Sequence, residues 1–575
     1  MRDTVLVIGG GIAGIQASLD LAKGGAKVVL VERAPTIGGV MAVLDKNFPT
    51  LDCSICIEAP KMSEVGLHPN IEVLSLAEVM KVDGEAGDFT VTINQKTRFV
   101  TDACTRCGEC TAVCPVVLPN EYDSGMAFRK AIYTPIPQSV PGAYLVDIDR
   151  CLNDPPNYLP CDHCQQACPP AAIDFLIPRT TILQRKVSAI ILATGYEMLD
   201  PRAMQEFGYG THPDILTALE FERLVNSAGP TGGEIIRPSD RKHVEKILFV
   251  LCVGSRDEHH EHHCSRFCCM YSIKHAYQAI DHGIQDVTVL YMDVRAYGKG
   301  FDGFWQRTTS QGAKFVHGRP ARIEDDGDGR ISVVYEDIGQ SARVDDTFDM
   351  VVLANAVTPP DGLDDLAARL GIAVDPDGFI HANESAGGLV MTTRQGIYTA
   401  GCVSGPKDIP DSVAEGSGAA GLSMRHLTSR YWPEAPAVEP IPNIEIPRVG
   451  VFVCHCGSNI AGVVDVERVT EYAKTLPDVI YAGHQMFSCA GNTQAEIEET
   501  IRREGITRVV IAACSPKTHE SIFRDVLTRA GLNPYLLEMS NIRNMDSWVH
   551  KYQKEEATIK AMEMVAMAVE KARLL

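Results

Sequence analysis

The residues best placed to do chemistry are cysteines. Cys104, Cys107, Cys110 and Cys114 follow C-x2-C-x2-C-x3-C-P, closed by Pro115, and a second set, Cys151, Cys161, Cys164 and Cys168, ends likewise at Pro169. Thiolates at such spacing wrap three corners of an iron–sulfur cubane, and the fourth cysteine of each run reaches the other cluster. The expected [4Fe–4S] sets are therefore Cys104, Cys107 and Cys110 with Cys168, and Cys151, Cys161 and Cys164 with Cys114. Zinc knuckles also use closely spaced thiols, but Cys-Pro endings in duplicate are a habit of iron–sulfur sites. The nine residues between Cys151 and Cys161 demand an enlarged loop that folds Cys151 back.

Two further thiol groups lack that spacing. In LCVGSRDEHHEHHCSRFCCMYSIKHA, Leu251–Ala276, an apolar strand runs into a single glycine, Gly254, where a dinucleotide loop would need several. Cys252 at the strand end and Cys264, Cys268 and Cys269 on or before the following helix can converge on one metal site, read as a third cluster, with inert buried thiols as the alternative. His259, His260, His262 and His263 lie among acids and read as solvated. Cys454, Cys489 and Cys514 each close an expected strand and are joined by Cys456, which makes a fourth cluster the reading of that region. Cys53 and Cys56 form a C-x2-C pair without neighbours, open to three uses: completing an interdomain cluster, acting as a dithiol, or serving as structural thiols.

The elements that must position these thiols begin at the N-terminus. A strand from Thr4 to Ile8 runs into Gly9, Gly11 and Gly14, a helix follows, and a second strand ends at Glu32. Gly9 permits the tight turn, Gly11 lets backbone approach a pyrophosphate, Gly14 lets helix and strand pack, and Glu32 is placed for a ribose hydroxyl pair. A proline-rich stretch, WPEAPAVEPIPNIEIP, reads as a linker to a C-terminal α/β unit. The chain has 575 residues, 19 cysteines and a net charge of −21, which disfavours nucleic acid. No apolar run approaches the roughly 18 residues of a membrane span. Arg2 is the one basic residue before the first strand, which reads as a strand and glycine loop rather than a signal peptide, so the protein is expected to be cytoplasmic and its cysteines metal-bound or redox-active rather than structural disulfides. No Ser/His/Asp or paired-carboxylate arrangement stands out.

Gly38 and Gly39, the segment AIILATGY with Ala193, Thr194 and Gly195, and GIYTAGCVSG with Gly401 and Cys402 resemble two-dinucleotide-fold flavoproteins and imply FAD. Those proteins usually carry an acid where Cys402 stands. LDCSICIEAPKM, CVGSR…HCSRFCCMYSIKHA and YMDVRAYGKGF resemble the A-type subunit of heterodisulfide reductase over nearly the whole chain. That resemblance implies that Cys252, Cys264, Cys268 and Cys269 ligate a [4Fe–4S] site beside FAD and that Lys274 lies near the flavin ring. From the residues alone, Lys274 reads as a solvated helix lysine. Family members often carry a cysteine before Ser-Trp-Val-His where this chain has Asp546, which leaves Cys456 or the Cys53/Cys56 pair to complete the C-terminal set.

The expected fold class is α/β: a thioredoxin reductase-like pair of dinucleotide domains, an inserted two-cluster ferredoxin module and a C-terminal α/β domain. The expected segments are 1–97, 183–240 and 385–430 for the FAD domain, 98–182 for the ferredoxin module, 241–384 for the second nucleotide-like domain, 431–447 for the linker and 448–575 for the last domain. The function implied is FAD and iron–sulfur electron transfer, with electron bifurcation, in a heterodisulfide reductase-like complex. Its implied partners are B- and C-like subunits, a hydrogenase- or formate dehydrogenase-linked donor and ferredoxin, around a homodimeric core. A pyridine-nucleotide-linked flavoprotein reductase is the alternative; it needs a second glycine-rich loop.

Overall fold

The computed structural model describes residues 3–153, 160–382, 388–433, 438–442 and 446–575. Thr4–Ile8 and Lys27–Val31 are apolar along both faces, the pattern of strands buried on both sides, and they enter a five-stranded parallel sheet. Its order is Ile397–Thr399, Ala189–Leu192, Thr4–Ile8, Lys27–Val31 and Ile71–Leu74. The helix α1, Ile12–Lys23, crosses between the two central strands, and α2, Ser54–Leu67, packs beside it. An antiparallel layer of Ala77–Glu85, Asp88–Lys96 and Thr180–Val187 covers part of this unit.

The module with the first two thiol sets hangs from that layer. Thr180 pairs with Lys96, so the chain leaves and returns at adjacent points. The pairing also shows that residues 180–182 belong to the flavin-side layer and not to the inserted module, which moves the expected boundary at 182.

A second parallel sheet has the order Ile215–Thr217, Met350–Asn355, Lys246–Val253, Asp286–Tyr291 and Lys314–His317. Two domain boundaries expected from sequence are corrected here. Ile215–Thr217 pairs with Val351–Leu353, so part of 183–240 belongs to the second unit. Leu363, Ala367, Leu370, Ile372 and Ile380 pack in one core with Leu6 and Ile8, so the chain is back in the first unit well before 385. The short pairing of Glu197–Met198 with Val357–Thr358 marks the two crossings. The boundary at 384/385 itself, and residues 434–437 and 443–445 of the linker, lie outside the described residues.

The C-terminal unit is a four-stranded parallel sheet ordered Val479–Gln485, Val449–Cys454, Arg508–Ala513 and Leu537–Asn541. Its helix Lys554–Arg573 packs on Arg508–Ala513 and Leu537–Asn541. Among the described residues no helix is long and apolar enough to cross a membrane.

Candidate functional site

The carboxyl ends of the first sheet open on a cavity of about 1150 Å³, where ligands of open parallel sheets collect. Each glycine of the loop has a separate reason to be there. Gly9 has φ +104°, and a Cβ on it would fall 2.2 Å from the Ala193 carbonyl oxygen. A Cβ on Gly14 would lie 1.9 Å from the Gly9 oxygen. At Gly11 a Cβ would meet only Gly39 Cα at 4.0 Å, which leaves the backbone bare on its cavity side. The α1 N-terminus, capped by no side chain and free of acids in its first turn, offers its N–H groups and dipole to a phosphate. Gly38 N–H donates to the Gly10 oxygen at 2.7 Å and so packs the next loop against this one.

Glu32 lines the cavity, its oxygens accepting from Gly10 N–H at 2.6 Å and Ala34 N–H at 2.7 Å. Thus oriented, each oxygen keeps a lone pair for a ribose hydroxyl. Gly39, Ala193, Thr194, Gly195, Gly401 and Cys402 line the same space, whereas Gly38 is not part of its lining. Three polar atoms on its walls are buried without a partner: Thr194 Oγ1, Tyr271 Oη and His275 Nδ1. Buried polar groups are normally satisfied. A large, partly polar aromatic cofactor would satisfy them, and Tyr196, Phe267 and Tyr271 stack edge to ring along the wall. The residues present fit FAD.

At Cys402, where flavoproteins usually carry an acid, the thiol donates to the Lys407 oxygen at 3.2 Å, and burial pushes it up to about 11. The charges at this corner are an ion pair, Lys407 Nζ lying 2.8 Å from Glu415, whose Oε2 also accepts from Gly401 N–H at 2.9 Å.

The expected solvated position of Lys274 is overturned. It sits on α3, Cys268–Asp281, 1% exposed, and lines the flavin cavity. Its Nζ donates to the Lys46 oxygen at 3.0 Å and to Glu222. His275 Nε2 lies 2.6 Å from the same Glu222 oxygen, and Glu222 Oε2 accepts from Asp45 N–H at 3.0 Å. Burial alone would raise Glu222, but the Lys274 ammonium and then His275 outweigh it and hold the carboxyl far below its usual range. Burial, reinforced by the Lys274 charge, pulls His275 down to about 4 although Glu222 opposes it.

That histidine sets a pH dependence. An unfolded histidine titrates near pH 6.5, so as acid is added the unfolded chain takes the proton first. Stability tied to His275 is therefore complete above about pH 6.5 and is lost as pH falls towards about 4, by about 3 kcal/mol in all. Urea midpoints at pH 7.5 and 5 are expected to differ more in the native protein than in His275→Gln; equal differences would remove the histidine from the account.

The structure gathers the thiols in the sets that spacing predicts. One small cavity is lined by Cys104, Cys107, Cys110 and Cys168, another by Cys114, Cys151, Cys161 and Cys164. The enlarged loop after Cys151 falls in residues 154–159, outside the described residues. Cys268 lies within hydrogen-bonding reach of both Cys252 and Cys269, and Arg295 touches both Cys264 and Cys269. The histidine-rich loop is as expected in part: His259 and His262 are exposed, while His263 bonds the Val357 oxygen at 2.8 Å. Cys454, Cys456, Cys489 and Cys514 line a cavity of about 120 Å³. Cys489 lies beyond its strand, which stops at Gln485, rather than closing it.

Cys53 and Cys56 line that cavity too, but they are joined as a disulfide and are not free thiols. Asp546 is buried away from the cavity, both its oxygens without a partner, and burial pushes it up to about 6. Among the described residues no three His, Cys, Asp or Glu side chains could hold a single metal ion, whereas a cubane spreads its thiolates over separate corners. Sequence reasoning missed Arg543, which is 4% exposed amid these sulfurs and donates to Cys56 Sγ at 2.8 Å. It also missed Glu222, His275, Asp45 and Lys46.

Two parallel sheets, a glycine loop at the end of the first and a cavity that fits FAD define an oxidoreductase of the flavoprotein class, and residues 4–44 match the family model for FAD dependent oxidoreductases. The chain is 40% identical over 494 residues to a protein of Archaeoglobus profundus that is itself like the A-type subunit of heterodisulfide reductase, a match covering 79% of this chain and 70% of the relative. It is 46% identical to the second iron-sulfur A-type subunit of CoB--CoM heterodisulfide reductase from Methanopyrus kandleri, covering 77% and 66%. It is 45% identical to the A-type subunit of the H(2):CoB-CoM heterodisulfide,ferredoxin reductase of Methanothermobacter thermautotrophicus, covering 73% and 63%. The chain belongs to the family of heterodisulfide reductase A-type subunits. It spans about two thirds of the length of the curated relatives it matches.

Proposed function

We propose that this chain is the FAD- and [4Fe–4S]-carrying electron-transfer subunit of a heterodisulfide reductase-like complex, built as a thioredoxin reductase-like pair of dinucleotide domains with an inserted ferredoxin module. The observation that carries the reading is that the flavin cavity and the C-terminal thiol cavity adjoin, with Ala42, Tyr122 and Ile136 lining both. FAD would be held by the loop of Gly9, Gly11 and Gly14, by Glu32, Gly38 and Gly39, and by the turns at Ala193, Thr194, Gly195, Gly401 and Cys402. Bound there, FAD supplies the capacity to take up an electron pair and give it out singly.

Four clusters complete the proposal: two in the inserted module, one on Cys252, Cys264, Cys268 and Cys269, and one on Cys454, Cys456, Cys489 and Cys514. The protein's own part is electrostatic. Lys274 holds a positive charge on the cavity wall, Glu222 and Lys46 fix its direction, and the buried aromatics exclude water. By analogy with the reactions for which these relatives are named, the electrons pass between ferredoxin and a heterodisulfide-reducing partner, with bifurcation at the flavin. B- and C-like subunits, a hydrogenase- or formate dehydrogenase-linked donor and a second copy of the chain would complete the assembly.

The pyridine-nucleotide alternative loses support at Gly254. The loop beyond it turns its amides inward: Arg256 N–H donates to His263, Asp257 N–H to Glu261 and Glu261 N–H to Gly254, each at 3.0 Å. Few backbone donors remain for a pyrophosphate. Stopped-flow mixing of oxidised, anaerobic protein with NADH, NADPH or dithionite-reduced ferredoxin tests both readings. Flavin bleaching by reduced ferredoxin alone is expected; rapid bleaching by either pyridine nucleotide would overturn the proposal in favour of a stand-alone reductase.

A further inference from the structure

Cys454, Cys456, Cys489 and Cys514 already place four sulfurs around the C-terminal cavity, so the Cys53–Cys56 disulfide on the same wall is surplus to a cubane. Its surroundings are those of a reactive pair. Cys53 is the N-cap of α2, and its Sγ accepts from Cys56 N–H at 3.3 Å, so a thiolate formed here faces the positive end of a 14-residue helix. Arg543 donates to Cys56 Sγ at 2.8 Å and pairs with no carboxylate among the described residues.

The pair also bridges two cavities. It lines the C-terminal one, while the next residue of α2, Ile57, lines the flavin cavity. Lys46 pairs through its backbone with Cys53, and its carbonyl accepts from Lys274 Nζ on the flavin side at 3.0 Å.

We propose that Cys53 and Cys56 are a redox-active pair that exchanges two electrons with the flavin site. Reduction breaks the S–S bond and adds two electrons and two protons, which leaves two thiols; the donor is a dihydroflavin in the adjoining cavity, oxidised by loss of the same electrons and protons. The reverse step returns the electron pair to oxidised flavin. The chain would thus hold a second electron pair beside the flavin. The inference rests on the flavin reading above.

The test uses the anaerobic holoprotein before and after reduction by dithionite-reduced ferredoxin. Each sample is denatured in acid, alkylated and read by mass spectrometry at the peptide holding both cysteines, with iron, FAD and electron paramagnetic resonance measured in parallel. The expected result is a peptide unlabelled when oxidised and doubly labelled when reduced. Cys53→Ser should keep its iron and FAD and take up about two fewer electrons per chain in a reductive titration.

Labelling of both cysteines in the oxidised protein, or loss of one cluster's iron and spectrum in Cys53→Ser or Cys56→Ser, would make them cluster ligands and overturn the proposal. A peptide still unlabelled after the flavin is fully reduced would make the disulfide structural. Protein that folds with its disulfide but binds no FAD would instead sink the flavin reading, and the donor named here with it.

Discussion

Replacing Lys274 by Met is expected to destabilise the flavin-binding unit by about 3–5 kcal/mol, because it leaves the Glu222 carboxylate buried without its main counter-charge. Glu222 and Lys274 are 3% and 1% exposed, so solvent cannot take over the lost partner. The double variant, Lys274→Met with Glu222→Gln, removes both charges and should recover most of the loss, since a buried pair replaced as a unit costs far less than a pair cut in half. His275 sharpens the expectation. Lys274 helps to keep it neutral, so without Lys274 it should take a proton at higher pH and partly neutralise Glu222, which makes the single variant's deficit smaller at pH 6 than at pH 8. The urea midpoint of flavin release reads all of this. A single variant within about 1 kcal/mol of native, with no recovery in the double, would mean that the pair is not a buried charge pair. In the same variant the flavin midpoint potential should move negative, since a cation on the cavity wall favours the reduced, anionic ring.

What could be read from sequence was whatever spacing encodes. Cys104 to Cys114 and Cys151 to Cys168 lie close in the chain, and the crossed sets expected of a duplicated two-cluster module correspond to two separate thiol-lined cavities. The glycine loop is equally local: the roles of Gly9, Gly11 and Gly14 depend on one turn and one helix. The partner of Lys274 is not local. Glu222 lies 52 positions away on another element, and α3 is buried on nearly every face from Cys268 to Ala276, which hides the stripe by which a solvated lysine would be told from an interior one.

Domain limits failed for a related reason. The strand Ile215–Thr217 has three residues, too few for a period, and its sheet is decided by pairing with Val351–Leu353, far along the chain. Cys489 was placed at a strand end by its apolar lead-in, yet the strand stops at Gln485 and the loop carries the thiol the rest of the way. Asp546 stands where the resemblance implies a cysteine, which turned the sequence reading towards Cys456 or the Cys53/Cys56 pair. Its burial away from the cavity turns attention to Arg543 three positions earlier.

Arg543→Met is expected to empty the C-terminal thiol site while leaving the inserted module loaded. Burial drives Cys514 up to about 12 and Cys489 higher still, the bond to Cys454 and then burial raise Cys456 while Cys454 is held down at about 6, and for the three raised thiols the Arg543 charge works against the rise. A cluster needs them as thiolates. Its irons supply part of the compensation; a buried guanidinium with no carboxylate partner supplies more, and in turn needs the anionic cluster to offset its own desolvation. Each half therefore depends on the other. Iron per chain should fall by about one cubane in Arg543→Met, with its resonance signal lost and those of the module kept. Arg543→Lys should hold an intermediate amount: it keeps the charge but not the planar group that lies 4.8 Å from the Trp548 ring. Full iron content in Arg543→Met would show that the sulfurs need no protein cation, and the guanidinium would then be there for the Cys56 sulfur alone.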